Sequence, residues 1–140
     1  MQRVLIPFDG SDSALRAVRY AASLAKDIPS MQPELLYVLD PVLHRTHPDL
    51  SNDEIERLYA HESARILQPA KDVLEQAGHP HESHCRRGSP ASEIAEYVRE
   101  AGCNAIIMGT RGLSPVASLM IGSVALKVIH LTDAPVTLIK

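Results

Sequence analysis

The stretch that decides the fold lies at residues 105–112 and reads Ala-Ile-Ile-Met-Gly-Thr-Arg-Gly. Its first four residues are the most apolar run in the chain, which is typical of a strand buried on both faces of a parallel sheet. Glycines end that run. A helical pattern follows, with Val124, Ala125, Val128 and Ile129 on one face. A buried strand, a glycine loop and a helix in this order predict one unit of an α/β protein.

The same alternation extends along the whole chain, which predicts one domain over residues 1–140. Because crossovers between parallel strands are right-handed and must cover the sheet, the pattern predicts a doubly wound five-stranded parallel sheet with helices on both faces. Apolar strands belong at its centre and the polar third strand at an edge, which gives the order 3-2-1-4-5. The further strands are predicted at residues 4–6, 35–39, 80–87 and 136–139, and the further helices at residues 12–27, 51–77 and 90–101.

The long second helix has the clearest boundaries. Ser51 and Glu54 form a capping box at its start, and Gly78 is a typical residue to end it. The period of its apolar residues places Leu58 and Tyr59, among others, on the buried face.

A ligand site is expected where the sheet changes direction, between the first and fourth strands. Two loops meet there, at residues 7–12 and 109–120. In the second loop, glycines allow the backbone to approach an anion, and the free N–H groups of the helix from Ser123 add positive potential. The loop is neither a Walker A loop nor a dinucleotide fingerprint. A loop that needs glycine only for turn geometry is the alternative.

Composition narrows the class of protein. The 140 residues carry a net charge of −3, and no run of Lys or Arg exceeds Arg86-Arg87, so a nucleic-acid partner is not expected. No stretch is apolar for the roughly 20 residues of a membrane span, and the first residues do not form a signal peptide. Cys85 and Cys103 imply no disulfide framework, which suits the cytoplasm.

Several motifs together resemble the universal stress protein family. The spacing Gly109-x2-Gly112-x9-Gly122-Ser123 resembles the ATP-binding signature of its ATP-binding subgroup. Residues 2–12, 36–40, 88–91 and 134–136 also resemble family motifs, so the resemblance covers essentially the whole chain. It implies a Rossmann-like, adenine nucleotide alpha hydrolase-like fold.

The resemblance also implies a nucleotide site. Adenine would lie near Val38 and Met108, Asp9 would face the ribose or a phosphate-bound metal, and the glycine loop would hold the phosphates. The implied nucleotide-binding residues are Pro7, Phe8, Asp9, Val38, Met108, Gly109, Arg111, Gly112, Gly122, Ser123, Val124 and Ala125. Two of these depart from the family pattern, since Thr or Val often stands at Phe8, and Thr or Ser at Ala125.

Other features receive simpler interpretations. The segment from His79 to Cys85 contains three histidines, but a solvated edge strand is favoured over a zinc site, because His84 and Cys85 would point to opposite faces. Cys103 is interpreted as a core thiol.

Residues 40–50 form a candidate lid. The last strand, Val136–Ile139, is an apolar edge, and in the resembled family this strand often pairs across a homodimer.

The leading hypothesis is an ATP-binding regulatory protein of the stress response that binds ATP with magnesium and hydrolyses it slowly if at all. No catalytic residue and no resident metal is assigned. One alternative is an ATPase or nucleotide-dependent transferase that uses Asp9 and a metal. The other is an interaction module that does not depend on nucleotide.

Overall fold

The computed structural model describes residues 2–41, 46–111 and 121–140. Residues 42–45 of the candidate lid, and Gly112 with the rest of the loop up to residue 120, lie outside this range. Within the described ranges the strands are β1 (Gln2–Pro7), β2 (Met31–Leu39), β3 (Glu82–Arg87), β4 (Ala105–Gly109) and β5 (Val136–Ile139), and the helices are α1 (Asp12–Asp27), α2 (Asn52–Gln76), α3 (Pro90–Ala101) and α4 (Ser123–Leu131).

The five strands form a parallel sheet in the order β3-β2-β1-β4-β5, which confirms the predicted order. At its centre Val4 pairs with Ala105, and Leu5 pairs with Ile106. After β1 the chain enters α1 on one face of the sheet, and after β4 it enters α4 on the other face. The two central strands therefore part at their carboxyl ends and leave a crevice between them.

Each face of the sheet has its own core. The α1 and α2 layer is built on small side chains, since alanines of α1 are buried against Val4, Ile6 and Ile107. The α3 and α4 layer packs against the intervening positions of the same strands, including Leu5, Leu36 and Met108. Because side chains along a strand point alternately to the two faces, residue parity decides which layer a strand residue joins.

The predicted helix ends are confirmed. The Ser51 side chain accepts a hydrogen bond from the Glu54 N–H at 3.2 Å, and Glu54 accepts one from the Ser51 N–H at 3.0 Å, which is a complete capping box. Gly78 follows α2 with a φ of +74°, and Gly102 ends α3 with a φ of +67°. Both are left-handed positions that a side chain would strain.

Two predicted core positions are wrong. Leu58 is 44 % exposed and Ile129 is 39 % exposed, whereas Ser63 and Leu67 are buried on α2. The buried stripe of α2 runs through Tyr59, Ser63 and Leu67, and Leu58 lies outside it. Of the helices in the described ranges, none has the length and apolarity that a bilayer crossing requires.

Replacement of Ser51 by alanine is expected to lower the free energy of unfolding by about 1 kcal/mol, because it removes the bond to the Glu54 N–H. Urea denaturation followed by circular dichroism measures this loss. The matched control is Ser89→Ala, since Ser89 is the N-cap of α3 but makes no side-chain capping bond. An equal loss in the two variants would contradict the assignment of the capping box.

Candidate functional site

A cavity of about 390 Å³ lies in the crevice at the carboxyl ends of β1, β2 and β4, between the first turns of α3 and α4. All the predicted nucleotide-binding residues in the described part of the chain line it: Pro7, Phe8, Asp9, Val38, Met108, Gly109, Arg111, Gly122, Ser123, Val124 and Ala125. Gly112, the remaining one, lies outside the described residues. Two loops and a strand end that are far apart in sequence thus line one cavity.

Sequence reasoning missed several lining residues, namely Ala14, Leu36, Pro90, Ile94 and Thr110. Pro90 and Ile94 matter most, because they make the first turns of α3 a wall of the cavity. Their residue types gave no signal of this, since both look like ordinary residues of an amphipathic helix. Only the sheet order brings the start of α3 beside the ends of β1 and β4.

The turn after β1 is held by its own polar groups. The Asp9 carboxylate accepts a hydrogen bond from the Ser11 N–H at 2.9 Å, and the Ser11 hydroxyl accepts one from the Ala14 N–H at 3.2 Å. Asp9 is partly buried, while Ser11 is buried and caps α1. The first of these bonds holds the Asp9 carboxylate at the cavity, and the second caps α1.

Phe8 lines the cavity, but its side chain belongs to the opposite core layer. It is buried with Val4, Ile6 and the alanines of α1, as its parity requires. The Phe8 N–H donates to the Leu36 carbonyl at 2.9 Å, so its backbone continues the β1–β2 pairing. The departure from the family pattern at Phe8 therefore changes the α1 layer rather than the α3 side of the sheet. Ala125, by contrast, is buried in the α3 and α4 layer.

Gly109 is required for the packing of β4 against α1. A Cβ at this position would lie 2.7 Å from the Ser13 carbonyl carbon and 2.8 Å from the Ala14 nitrogen, and still closer to the Ser13 hydroxyl. Two of these neighbours are backbone atoms of α1, which cannot move alone. Gly109 thus lines the cavity while its α-hydrogen faces α1, so its role includes close helix–strand contact.

The first turn of α4 lines the cavity with its backbone N–H groups. Gly122 is the N-cap, and no side chain caps this helix. The Gly122 N–H itself donates to the Thr110 carbonyl at 2.5 Å, which ties the start of α4 to the end of β4. The first intrahelical bond runs from the Leu126 N–H to the Gly122 carbonyl at 3.1 Å. Among the described residues, the backbone N–H groups in the turn before Leu126 have no acceptor, so they can bind an anion.

The loop after β4 is fastened to α1 at Arg111. Its N–H lies 3.4 Å from the Ser13 hydroxyl, and its carbonyl lies 3.4 Å from the Ser11 hydroxyl. The Arg111 residue is exposed at the rim of the cavity. Ser11, the N-cap of α1, and Ser13 in its first turn therefore hold the backbone from which the Arg111 guanidinium extends.

The histidine segment enters the edge strand β3 at Glu82, and its neighbouring residues His84 and Cys85 face different layers, as predicted. His84 lies beside Tyr97 of α3, with ring centroids 5.3 Å apart, while the Cys85 sulfur lies 2.9 Å from the Ser63 hydroxyl of α2. Possible ligand atoms of Glu34, Glu82 and His84 lie within 4.8 Å of one another. Arg3 and Tyr97, however, already bind the two oxygens of Glu34. This group is a polar contact between layers, and we assign no metal to it.

Cys103 is buried in the α3 and α4 layer. Burial raises the pKa of its thiol to about 11, and the nearby Glu34 carboxylate acts in the same direction. A thiol in this state is a poor nucleophile at neutral pH. The interpretation of Cys103 as a core thiol is confirmed.

The fold and the cavity define a doubly wound α/β protein whose candidate site lies at the topological switch point. The model of the universal stress protein family matches residues 1–140. The chain belongs to the universal stress protein family. It is 32 % identical to the universal stress protein YxiE of Bacillus subtilis over 148 residues, with 99 % of this chain and 98 % of that protein covered.

Solved structures agree with this assignment. The structure of the hypothetical protein MJ0577 of Methanocaldococcus jannaschii has a TM-score of 0.85 and 25 % sequence identity, covering 99 % of this chain and 95 % of that chain. The universal stress protein of Archaeoglobus fulgidus in complex with dAMP has a TM-score of 0.69 and 26 % identity, covering 100 % of this chain and 98 % of that chain.

Replacement of Gly109 by alanine is expected to lower the free energy of unfolding by about 3 kcal/mol, because the added methyl group overlaps backbone atoms of α1. Gly102→Ala is the control. Its Cβ would meet nothing within 4 Å, so only the left-handed backbone is strained, at a cost of about 1 kcal/mol. Chemical denaturation of both variants gives the comparison. Equal costs would show that β4 and α1 do not approach as closely as described.

Proposed function

We propose that this protein binds an adenine nucleotide, ATP with magnesium, in the switch-point cavity, and that it acts as a nucleotide-dependent regulator in the stress response. The observation that carries the proposal is the convergence of both predicted loops on one cavity of about 390 Å³. The dAMP complex of the Archaeoglobus fulgidus protein supports an adenine nucleotide as the ligand.

The phosphates would bind at the start of α4. The N–H groups of Ser123, Val124 and Ala125 precede the first intrahelical bond, and the helix dipole adds positive potential at the same place. Ser123 is exposed there, and its hydroxyl would donate a further hydrogen bond. The Arg111 guanidinium at the rim would bind the outer phosphates, which carry the most charge.

The base would bind to the edge of β2 that β1 leaves uncovered. The Leu36 carbonyl faces β1 and accepts from Phe8, and the register of β1 with β2 ends at Pro7 and Leu36. Backbone groups two residues apart on a strand point to the same side, so the N–H and carbonyl of Val38 face the crevice. A neighbouring donor and acceptor of this kind match N1 and the N6 amino group of adenine. Guanine presents the opposite pattern, with an O6 acceptor.

Asp9 is the carboxylate among the described lining residues, and Mg²⁺ commonly binds one carboxylate together with substrate phosphates. One Asp9 oxygen accepts from the Ser11 N–H, and the other, which has no hydrogen bond within the described residues, would bind a phosphate-bound Mg²⁺ or the ribose. Among the described lining residues no histidine, lysine or glutamate offers a general base. Binding with slow hydrolysis therefore fits this site better than rapid turnover.

Isothermal titration calorimetry with Mg-ATP tests the proposal, using the variant Ser123→Asp. An acidic residue in the first turn suits the helix dipole, so the fold should be retained, but its charge repels phosphate. The affinity of Ser123→Asp for ATP is expected to fall at least about ten-fold, which corresponds to about 1.4 kcal/mol. GTP should bind to the wild-type protein at least about ten-fold more weakly than ATP, because guanine reverses the donor and acceptor at Val38.

The matched control for this titration is Asn52→Asp. It also places an aspartate at the first residue of a helix, here α2, but Asn52 does not line the cavity. It should leave the affinity for ATP unchanged. No heat and no thermal shift with ATP, ADP or AMP at millimolar concentration would overturn the proposal. Steady hydrolysis that Asp9→Asn abolishes would instead favour an ATPase.

We propose further that the protein forms a homodimer through β5. This strand lies at the edge of the sheet, and its Val136 and Leu138 side chains are only partly buried in the α3 and α4 layer. Leu126 and Leu131 of α4, in that same layer, are exposed by 48 % and 55 %. Pairing of two β5 strands would cover both the open strand edge and neighbouring apolar surface.

Light scattering at micromolar concentration is expected to give the mass of a dimer for the wild-type protein. Thr137→Lys should shift the equilibrium toward monomer, because Thr137 is exposed on β5 and lysine on an edge strand opposes pairing. The equivalent change on the other edge, Glu82→Lys in β3, should leave the dimer intact. A monomeric wild-type protein would contradict this interface.

A further inference from the structure

Glu34 is a carboxylate in the interior of the sheet. It lies on β2, is 2 % exposed, and pairs in register with Leu5 of β1 on one side and Glu82 of β3 on the other. Its two oxygens are held separately. One accepts from the Arg3 Nε at 2.6 Å, and the other accepts from the Tyr97 hydroxyl at 2.8 Å. A buried charge of this kind requires its full set of partners to be tolerated.

These bonds fasten the second half of α3 to two strands. Tyr97 reaches β2 through Glu34, and the Ala101 carbonyl accepts from the Arg3 Nη1 of β1 at 2.5 Å. A hydrogen bond has a preferred direction, so this attachment fixes the rotation of the helix as well as its distance from the sheet.

The edge strand is attached to α3 at the same tyrosine. The Arg86 guanidinium lies 5.0 Å from the centre of the Tyr97 ring, and the His84 ring lies 5.3 Å away. Arg86 also forms ion pairs with Glu93 and Glu100 of α3. Tyr97 is therefore the side chain on which β2, β3 and α3 converge.

The other end of α3 is a wall of the cavity. Pro90 and Ile94 line it, and they precede Tyr97 by seven and three residues. Residues at these spacings lie on the same face of a helix. A rotation of α3 about its axis would thus move Ile94 along the cavity wall, and the Tyr97–Glu34 bond resists that rotation.

We propose that Tyr97 is a positioning residue for nucleotide binding, and that its hydrogen bond to the buried Glu34 holds Ile94 in place as the α3 wall of the cavity. This inference rests on the proposed function, because its effect is on nucleotide affinity. Tyr97 itself does not line the cavity, and it acts through the helix.

The test is Tyr97→Phe, with AMP and ATP affinities measured by calorimetry. Removal of the hydroxyl leaves one Glu34 oxygen without its donor, and the dissociation constant for either nucleotide is expected to rise about five-fold, the effect of one lost hydrogen bond. The matched control is Tyr59→Phe. Tyr59 is a buried tyrosine of α2 that lies under Arg87 of β3, with 4.2 Å between guanidinium and ring, and it does not line the cavity. This control should change affinity by less than about two-fold.

The same substitution made in an Ile94→Ala protein separates a positioning role of Tyr97 from general destabilisation of the fold. If Tyr97 acts by placing Ile94, then Tyr97→Phe should change affinity by less than about two-fold in an Ile94→Ala protein, since the two changes are then coupled. The same five-fold loss in both backgrounds would overturn the inference. So would an unchanged affinity in Tyr97→Phe alone.

If the wild-type protein binds neither nucleotide, the proposed function is overturned. The positioning role of Tyr97 can still be tested by hydrogen exchange of the nucleotide-free protein. Amides of residues 91–96 are expected to exchange several-fold faster in Tyr97→Phe than in Tyr59→Phe. Equal exchange in the two variants would overturn the positioning role even if nucleotide binds.

Discussion

The parallel pairing of β1 with β4 at the centre of the sheet is the constraint on which the rest of the structure depends. It holds Leu5 beside Ile106, and it brings residues about 100 positions apart in sequence to one edge. Each strand then connects to a helix on a different face. The crevice between them is therefore a consequence of topology, and the residues that follow each strand have to line it.

Two of the helices that line the crevice, α1 and α3, are attached to the sheet by different physical means. α1 approaches the sheet through alanines, and Gly109 allows its first turn to touch β4 directly. That contact depends on shape, so it fails when a methyl group is added. α3 is held by a buried carboxylate with a guanidinium and a phenol as partners. That contact depends on direction, so it fails when a donor is removed.

Features that depend on residues close together in sequence could be predicted from the sequence. The strands were predictable because their apolar runs are short and bounded by glycine or proline, and the sheet order because 80–87 is polar while 105–108 is not. The capping box was predictable because its two residues are neighbours in sequence. The sequence predicted that Phe8 lines the cavity. It did not predict that the Phe8 side chain packs in the α1 layer, which follows from the alternation of side chains along β1.

Long-range contacts were beyond sequence reasoning. Nothing in the residue types of Pro90 and Ile94 marks them as cavity residues, since only the sheet order places α3 there. Glu34 looks like a polar residue at the start of a strand, and its burial depends on Arg3 and Tyr97, which are 31 and 63 residues away. Leu58 was misplaced because the buried stripe of α2 includes the polar Ser63, and a pattern of apolar residues alone does not show the centre of such a stripe.

The central claim is that the switch-point cavity is an adenine nucleotide site, and an NMR titration tests it most directly. AMP added to the ¹⁵N-labelled protein should shift the amide signals of Val38, Ser123, Val124 and Ala125, which face the proposed base and phosphate positions. Amides of β3, from Glu82 to Arg87, should remain unchanged. Saturable shifts centred on β3, or none at the start of α4, would contradict the claim.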